Sequence, residues 1–352
     1  MRLLRKDGCN RYLVAYPCFR DVYPTSSREV TLGGYHRYSE EASTRIIECD
    51  AMVAGGGQGQ EPPFNYAYYT WGPTGISTQG MSKILHDEGN EPNWANSLIL
   101  QTSLETANLD RIQVDESAGY IFVLATTAQF RNHELRRYPL APSGTSDYTV
   151  LIQDTDLING LLAGGLSLDR TNQRLFVLSG PASFGSGLIA EYTYDGTYVQ
   201  TITSHSGGFT FLSGCGYDGQ EYIYYKVGLV IGDNYLWRVS VNTLSKEQLI
   251  LDNVSNNPEV YVANANKGSL VTINYGSRDI RVNTIPTLGS YTTIANGGAV
   301  GSVGMTMDWR GENVYFPASF LGRKPITGGS TEVVASAGSG APIVSIDLGV
   351  GV

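Results

Sequence analysis

Four histidines stand in the 352-residue chain: His36, His86, His133 and His205. An imidazole ligates metal or works as a general base only where other ligands or a nucleophile converge on it. These four are widely separated and match no ligand spacing, so surface or loop positions are expected. No GxSxG elbow is present, and no serine is paired by spacing with a histidine and an aspartate. GGGQGQEPP at 55–63 alternates Gly55, Gly57 and Gly59 as a phosphate loop could. Such a loop needs a helix after it, and Pro62 and Pro63 block one. HDEGNE at 86–91 and QDTDLINGL at 153–161 bring carboxylates and amides together. Oxygen-rich loops can hold calcium, but neither segment has the EF-hand series, and solvated loops are expected.

Cys9, Cys18, Cys49 and Cys215 are irregularly spaced, with no CxxC. That is neither a zinc pattern nor a disulfide framework, and buried free thiols are expected. Tyrosine is abundant, with 23 residues, and is concentrated in NYAYYTW at 65–71 and EYIYYK at 221–226. Strand packing is the plainer use of these rings. Strand alternation would also turn every second ring outward, giving a contact surface or a sugar-stacking site. On that reading the candidate binding residues are Tyr66, Tyr68, Tyr69, Trp71, Trp94 and Trp237. No catalytic residue, metal ligand or cofactor is expected.

The elements that would position these residues are legible from a repeated pattern. In MTMDWRGENVYFPAS a short apolar segment ends at Asp308, a turn follows, and an apolar run resumes. The same order recurs at Asp115 in VDESAGYIFVLA, Asp169 in LDRTNQRLFVLSG and Asp218 in YDGQEYIYYKVG. It recurs more weakly at Asn264, at Asp7 in RKDGCNRYLVAY, and in distorted form at Asp50. The mean period of about 50 residues is that of propeller repeats. Each anchor Asp is expected to accept backbone N–H bonds of its own turn.

The unit near Leu166 divides into LSLD, RLFVLSG, LIAEYTYD and TYVQTIT, with a hairpin turn at Asp195-Gly196. A four-stranded meander cannot bury both faces alone, and ring stacking solves this. The expected fold is therefore all-β: a seven-bladed β-propeller of four-stranded antiparallel blades in one domain over 1–352. Six blades plus an irregular N-terminal element is the alternative. Insertion loops are expected at 51–63 and 72–95, with a helical turn, if any, in MSKILHDEGNEPNWANSLIL. The tail GAPIVSIDLGVGV places Asp347 in an anchor position. It is expected to close the ring by adding a strand to the blade containing YLVAYP, with MRLLRKD competing for that place.

TMDWRGENVYFPASFLGRKPITGGSTEVV resembles a repeat of the YWTD class of propellers, found in lipoprotein-receptor ectodomains, and LDRTNQRLFVL is similar to NHL-type repeats. The signature tetrapeptide is replaced by VYFP at 314–317, and by LFVL and IFVL elsewhere. The resemblance implies a propeller and carries over no functional residue.

Net charge is −9 and only 16% of residues are charged, which argues against a nucleic-acid footprint or an anionic membrane surface. RNHELRR at 131–137 is short and contains an acid. No run of 18 apolar residues exists, and the basic start lacks the apolar core of a secretory signal. The expected function is a non-catalytic interaction or structural subunit of a larger assembly, such as a virus or phage particle, with other protein subunits as partners. The alternatives are a glycan-binding surface module and a metal-dependent hydrolase. Calcium lactonases illustrate the last, gathering acids at a propeller axis.

Overall fold

In the computed structural model the chain falls into two compact units, 1–63 and 64–352. The structure describes the strands 2–6, 11–15, 28–30 and 35–37. Beyond these it describes 66–72, 78–85, 96–103, 108–127, 132–153, 162–180, 186–206, 210–229, 234–252, 258–265, 268–274, 279–285, 291–295, 304–308, 311–317, 320–335 and 343–348.

The first unit holds two antiparallel hairpins. β1 (Arg2–Lys6) pairs with β2 (Arg11–Ala15), and β3 (Arg28–Val30) with β4 (Tyr35–Arg37).

The second unit carries six four-stranded antiparallel sheets among its described residues. Blade 1 runs from β28 (Ile343–Leu348) through β5 (Tyr66–Trp71) and β6 (Thr78–Leu85) to β7 (Asn96–Ser103). Blade 2 is β8 (Asn108–Asp115), β9 (Tyr120–Thr127), β10 (Asn132–Pro139) and β11 (Thr149–Gln153). Blade 3 is β12 (Leu162–Asp169), β13 (Arg174–Ser179), β14 (Ser186–Thr193) and β15 (Tyr198–Ser206). Blade 4 is β16 (Thr210–Tyr217), β17 (Tyr222–Leu229), β18 (Asn234–Ser240) and β19 (Lys246–Asp252). Blade 5 is β20 (Pro258–Asn264), β21 (Ser269–Asn274), β22 (Asp279–Thr284) and β23 (Tyr291–Ala295). Blade 6 is β24 (Thr306–Met307), β25 (Asn313–Pro317), β26 (Leu321–Pro325) and β27 (Glu332–Ala335).

The first strand of each blade touches the first strand of the next: β28 with β8, then β12, β16, β20 and β24, and back to β28. These six inner strands make a closed ring. Six apolar clusters fill the six gaps between blades. Phe122, Leu135, Leu166 and Leu175 lie between blades 2 and 3. Ala67, Tyr69, Tyr315 and Ile346 lie between blades 6 and 1. Each sheet is too thin to bury its own faces, and the neighbour supplies the cover.

The anchor acids behave as hairpin caps. Asp218 Oδ1 accepts from the N–H groups of Gln220, Glu221 and Tyr222 at 2.9–3.0 Å. Asp308 accepts from the N–H groups of Glu312 and Asn313. Asp169 holds Asn172 and Arg174, and Asp115 holds Ser117 and Ala118.

That chemistry also explains why six blades form where seven are expected. An anchor marks a hairpin, and a hairpin need not belong to a blade. Asp7 and Asp50 lie outside the described residues, and the strands that flank Asp7 in sequence, β1 and β2, form a two-stranded sheet rather than a blade. The tail does close the ring, but on β5 rather than on YLVAYP: Asp347 pairs with Tyr68, and Ile346 with Tyr69. The expected insertion at 72–95 contains β6, and the segment proposed for a helical turn supplies strand residues from β6 and β7 at its two ends. Segment 51–63 lies outside the described residues.

Candidate functional site

An inner strand exposes one edge of its backbone to the ring axis. Side chains of neighbouring blades cover part of that edge. Ser345 Oγ accepts from Ile112 N at 3.2 Å, and Ser167 Oγ accepts from Tyr217 N at 2.9 Å. Gln79 Oε1 accepts from Leu109 N at 3.1 Å. Asp347 Oδ2 accepts from Val114 N at 2.6 Å.

A cavity of about 20 Å³ lies on the axis, walled by Gln113, Ser167, Gly216, Val262, Thr306 and Asp347, one residue from each inner strand. Tyr217 and Arg170 complete it at the anchor end. A volume of ~10–15 Å³ suffices for one water, so the cavity is water-sized.

Its charged wall is an ion pair between the buried Asp347 and the partly buried Arg170. Arg170 Nη2 meets Asp347 Oδ2 at 2.6 Å, and Arg170 also donates to the carbonyls of Val114 at 2.8 Å and Leu348 at 3.3 Å. Thr306 Oγ1 donates to the other carboxylate oxygen, Asp347 Oδ1, at 3.3 Å. Asp347 is the anchor without a turn of its own, because its strand partner β5 comes from the far end of the unit. Its carboxylate is therefore turned to the axis.

Burial pushes the Asp347 carboxyl above the usual range, and Arg170 and the Val114 N–H pull it back. Burial likewise raises Glu116, which hydrogen-bonds the buried Tyr68 hydroxyl and feels Lys83 and Arg170. Tyr194 donates to Asp115 Oδ2 at 2.9 Å, and burial pushes its phenol up. Deeper in the ring, Arg111 is 2% exposed and donates to the Cys215 carbonyl at 3.5 Å, passing β12 to reach from β8 to β16.

The residues singled out in the sequence do not assemble there. Tyr68 and Tyr69 are buried on opposite faces of β5, in the gaps toward blades 2 and 6. Tyr66 and Trp71 are partly buried, and the Trp71 indole donates to Ser82 Oγ at 3.0 Å. Trp237 packs against the blade 3–4 cluster, with the His205 ring 5.1 Å away. Trp94 lies outside the described residues. Tyr68 and Tyr69 are thus used for packing, because β5 between two blades has no solvent face to give them.

His133 lies on β10 and His205 on β15, so the two belong to different blades. The His36 side chain and His86 lie outside the described residues, as do Cys9, Cys18 and Cys49. Cys215 is a buried free thiol. Among the described residues no group of three or more His, Cys, Asp or Glu side chains is placed to hold a metal ion. Sequence reading missed Arg170 and Glu116. Each directly follows an anchor, and that adjacency to a buried aspartate was the available signal.

No protein-family model matches the chain, and no curated protein matches it. Among solved structures it is similar to TolB from Acinetobacter baumannii, with a TM-score of 0.53 and 13% identity over 85% of this chain and 73% of that one. It is also similar to a puromycin-hydrolyzing peptidase from Mycobacterium tuberculosis, with a TM-score of 0.45 and 12% identity over 77% of this chain and 45% of that one. An oligogalacturonate lyase in complex with manganese matches with a TM-score of 0.44 and 11% identity, over 70% and 74% of the two chains. The chain thus spans less than half the length of the peptidase.

At these identities the likeness shows the fold, a β-propeller, with no YWTD or NHL family established. The expectation of a non-catalytic structural or interaction subunit is corrected by the axial site itself, where a buried carboxylate, Asp347, lines a water-sized cavity. Fold and site together define a six-bladed β-propeller with a polar, water-sized cavity at the anchor end of its axis.

Proposed function

We propose that this propeller is a hydrolase working at the anchor end of its axis, with the attacking water held in the axial cavity. The observation that carries this reading is the shared wall: a water-sized cavity and a buried carboxylate meet at Asp347. Water there has partners of both kinds. Asp347 Oδ1 accepts a long bond from Thr306 at 3.3 Å, and a carboxylate oxygen has the lone pairs to accept another. Ser167 Oγ spends a lone pair on Tyr217 N, and its own proton remains available to the cavity. Burial strengthens Asp347 as a base, which suits proton removal. Arg170 is the positioning residue, fixing the carboxylate through a contact anchored on two carbonyls. In the reaction, water oxygen bonds to the scissile centre while its proton passes to Asp347. The proton then goes to the leaving group as that bond breaks. With room for only a water inside, the substrate is a small polar molecule seated at the mouth.

The test is turnover by the full chain of small esters, lactones, glycosides and phosphoesters, with chelator and with added calcium or manganese. Asp347→Asn should lower the rate by about 10² to 10⁴, the usual contribution of a general base. Thr306→Val, which keeps the shape, should lower it less. A folded protein inactive on the whole panel, or activity indifferent to Asp347→Asn, overturns the reading.

A further inference from the structure

We infer that β28 is a strap whose docking completes the axial cavity, and that the ring opens locally at blade 1 without unfolding elsewhere. Among the six inner strands, β28 is the one not followed in sequence by the second strand of its blade. It is reached from β27 through the segment SAGSGAP at 336–342. In blades 2 to 6 a short turn ties the inner strand to the next, and an anchor side chain caps that turn in several of them. β28 has no such tie and is held by its ladder with β5, by its apolar residues in the blade 6–1 gap, and by polar clasps. The clasps converge on two residues. Ser345 accepts from Ile112 N, and Asp347 gathers Val114 N, Arg170 and Thr306. Arg170 also grips the Leu348 carbonyl.

Proteins open in cooperative units of unequal stability, and β28 is the inner strand that no turn ties to its ladder partner. When β28 leaves, Asp347 leaves with it and the cavity loses its carboxylate. Whatever binds the docked form therefore favours docking. That last consequence rests on the hydrolase reading; the opening itself does not.

Hydrogen exchange followed by mass spectrometry on the full chain tests the strap. Amides of β28 and β5 should exchange at least about tenfold faster than those of β16 and β17 in the unaltered protein. Arg170→Gln should speed the first pair by roughly another tenfold and leave the second pair unchanged. A single common rate, an equal effect of Arg170→Gln on all four strands, or no effect at all overturns the inference. A second arm uses the facing residues of the β28–β5 ladder, Thr70 and Ser345. In Thr70→Cys/Ser345→Cys, oxidation should remove the difference in exchange and reduction restore it; an oxidised pair with unchanged exchange also overturns the strap. If the substrate panel gives no turnover while this pattern holds, only the hydrolase reading falls.

Discussion

Arg170 and Asp347 are 177 residues apart in sequence and meet at 2.6 Å, with the carboxylate almost wholly buried. The arginine comes from the turn after β12 and the aspartate from β28, so blade 3 reaches past blade 2 to hold blade 1. Removing one member of a buried pair strands the other. Arg170→Leu should cost about 3 to 5 kcal/mol, and Asp347→Leu added to it should recover part of the loss. Urea denaturation of the single and double variants measures both; equal losses in single and double variants would show that the pair is not coupled.

Asp218 serves its own turn, accepting three backbone N–H groups with one oxygen. Asp218→Ala leaves those donors to find water, and a loss of about 1 to 2 kcal/mol is expected. The same denaturation experiment reads it, and Asp218→Asn should retain most of the stability because the amide oxygen still accepts.

His205 stands where burial, with the Lys246 charge adding, lowers its pKa from 6.5 to about 4. Its Nε2 lies 2.8 Å from the Tyr225 hydroxyl. Between these two pH values the unfolded chain protonates this imidazole and the folded protein does not. The sign follows: stability is retained above the upper value and falls as pH drops through the window. Urea midpoints at pH 7 and pH 4.5 should differ less in His205→Phe than in the unaltered protein, once the change at pH 7 is subtracted.

Cys215 sits against β12, where a Cβ on Gly165 would lie 3.2 Å from its sulfur. Burial pushes this thiol up to about 11. A thiol reagent at pH 8 should leave the Cys215 peptide unlabelled in the native protein and label it fully in denaturant. Native labelling would mean that blades 3 and 4 separate readily.

The parts of this fold that follow from local chemistry were legible in the sequence. Asp115, Asp169, Asp218 and Asp308 cap turns as their spacing implies. Asp195-Gly196 makes the turn between β14 and β15, with Gly196 at φ +89°, a conformation that suits glycine. Blade number was misread because the anchor pattern belongs to any hairpin, including a pair of only two strands such as β1–β2. The partner of the tail was misread because pairing between Asp347 and Tyr68 spans most of the unit and leaves no local trace. The tyrosines of β5 misled for a related reason: alternation says that two faces exist, and only the ring says that both are covered. Arg170 reads in sequence as an ordinary solvated turn residue, and its role appears only once three blades are assembled.

Arg111 lies across the middle of the ring, from β8 to the Cys215 carbonyl. A hole bored through a disc would let reactants arrive on one side and depart on the other. The buried Arg111 side chain, set across from β8 to β16, narrows that passage. For the hydrolase proposed above, product would then leave by the side on which reactant arrives, and its accumulation would slow turnover by queueing.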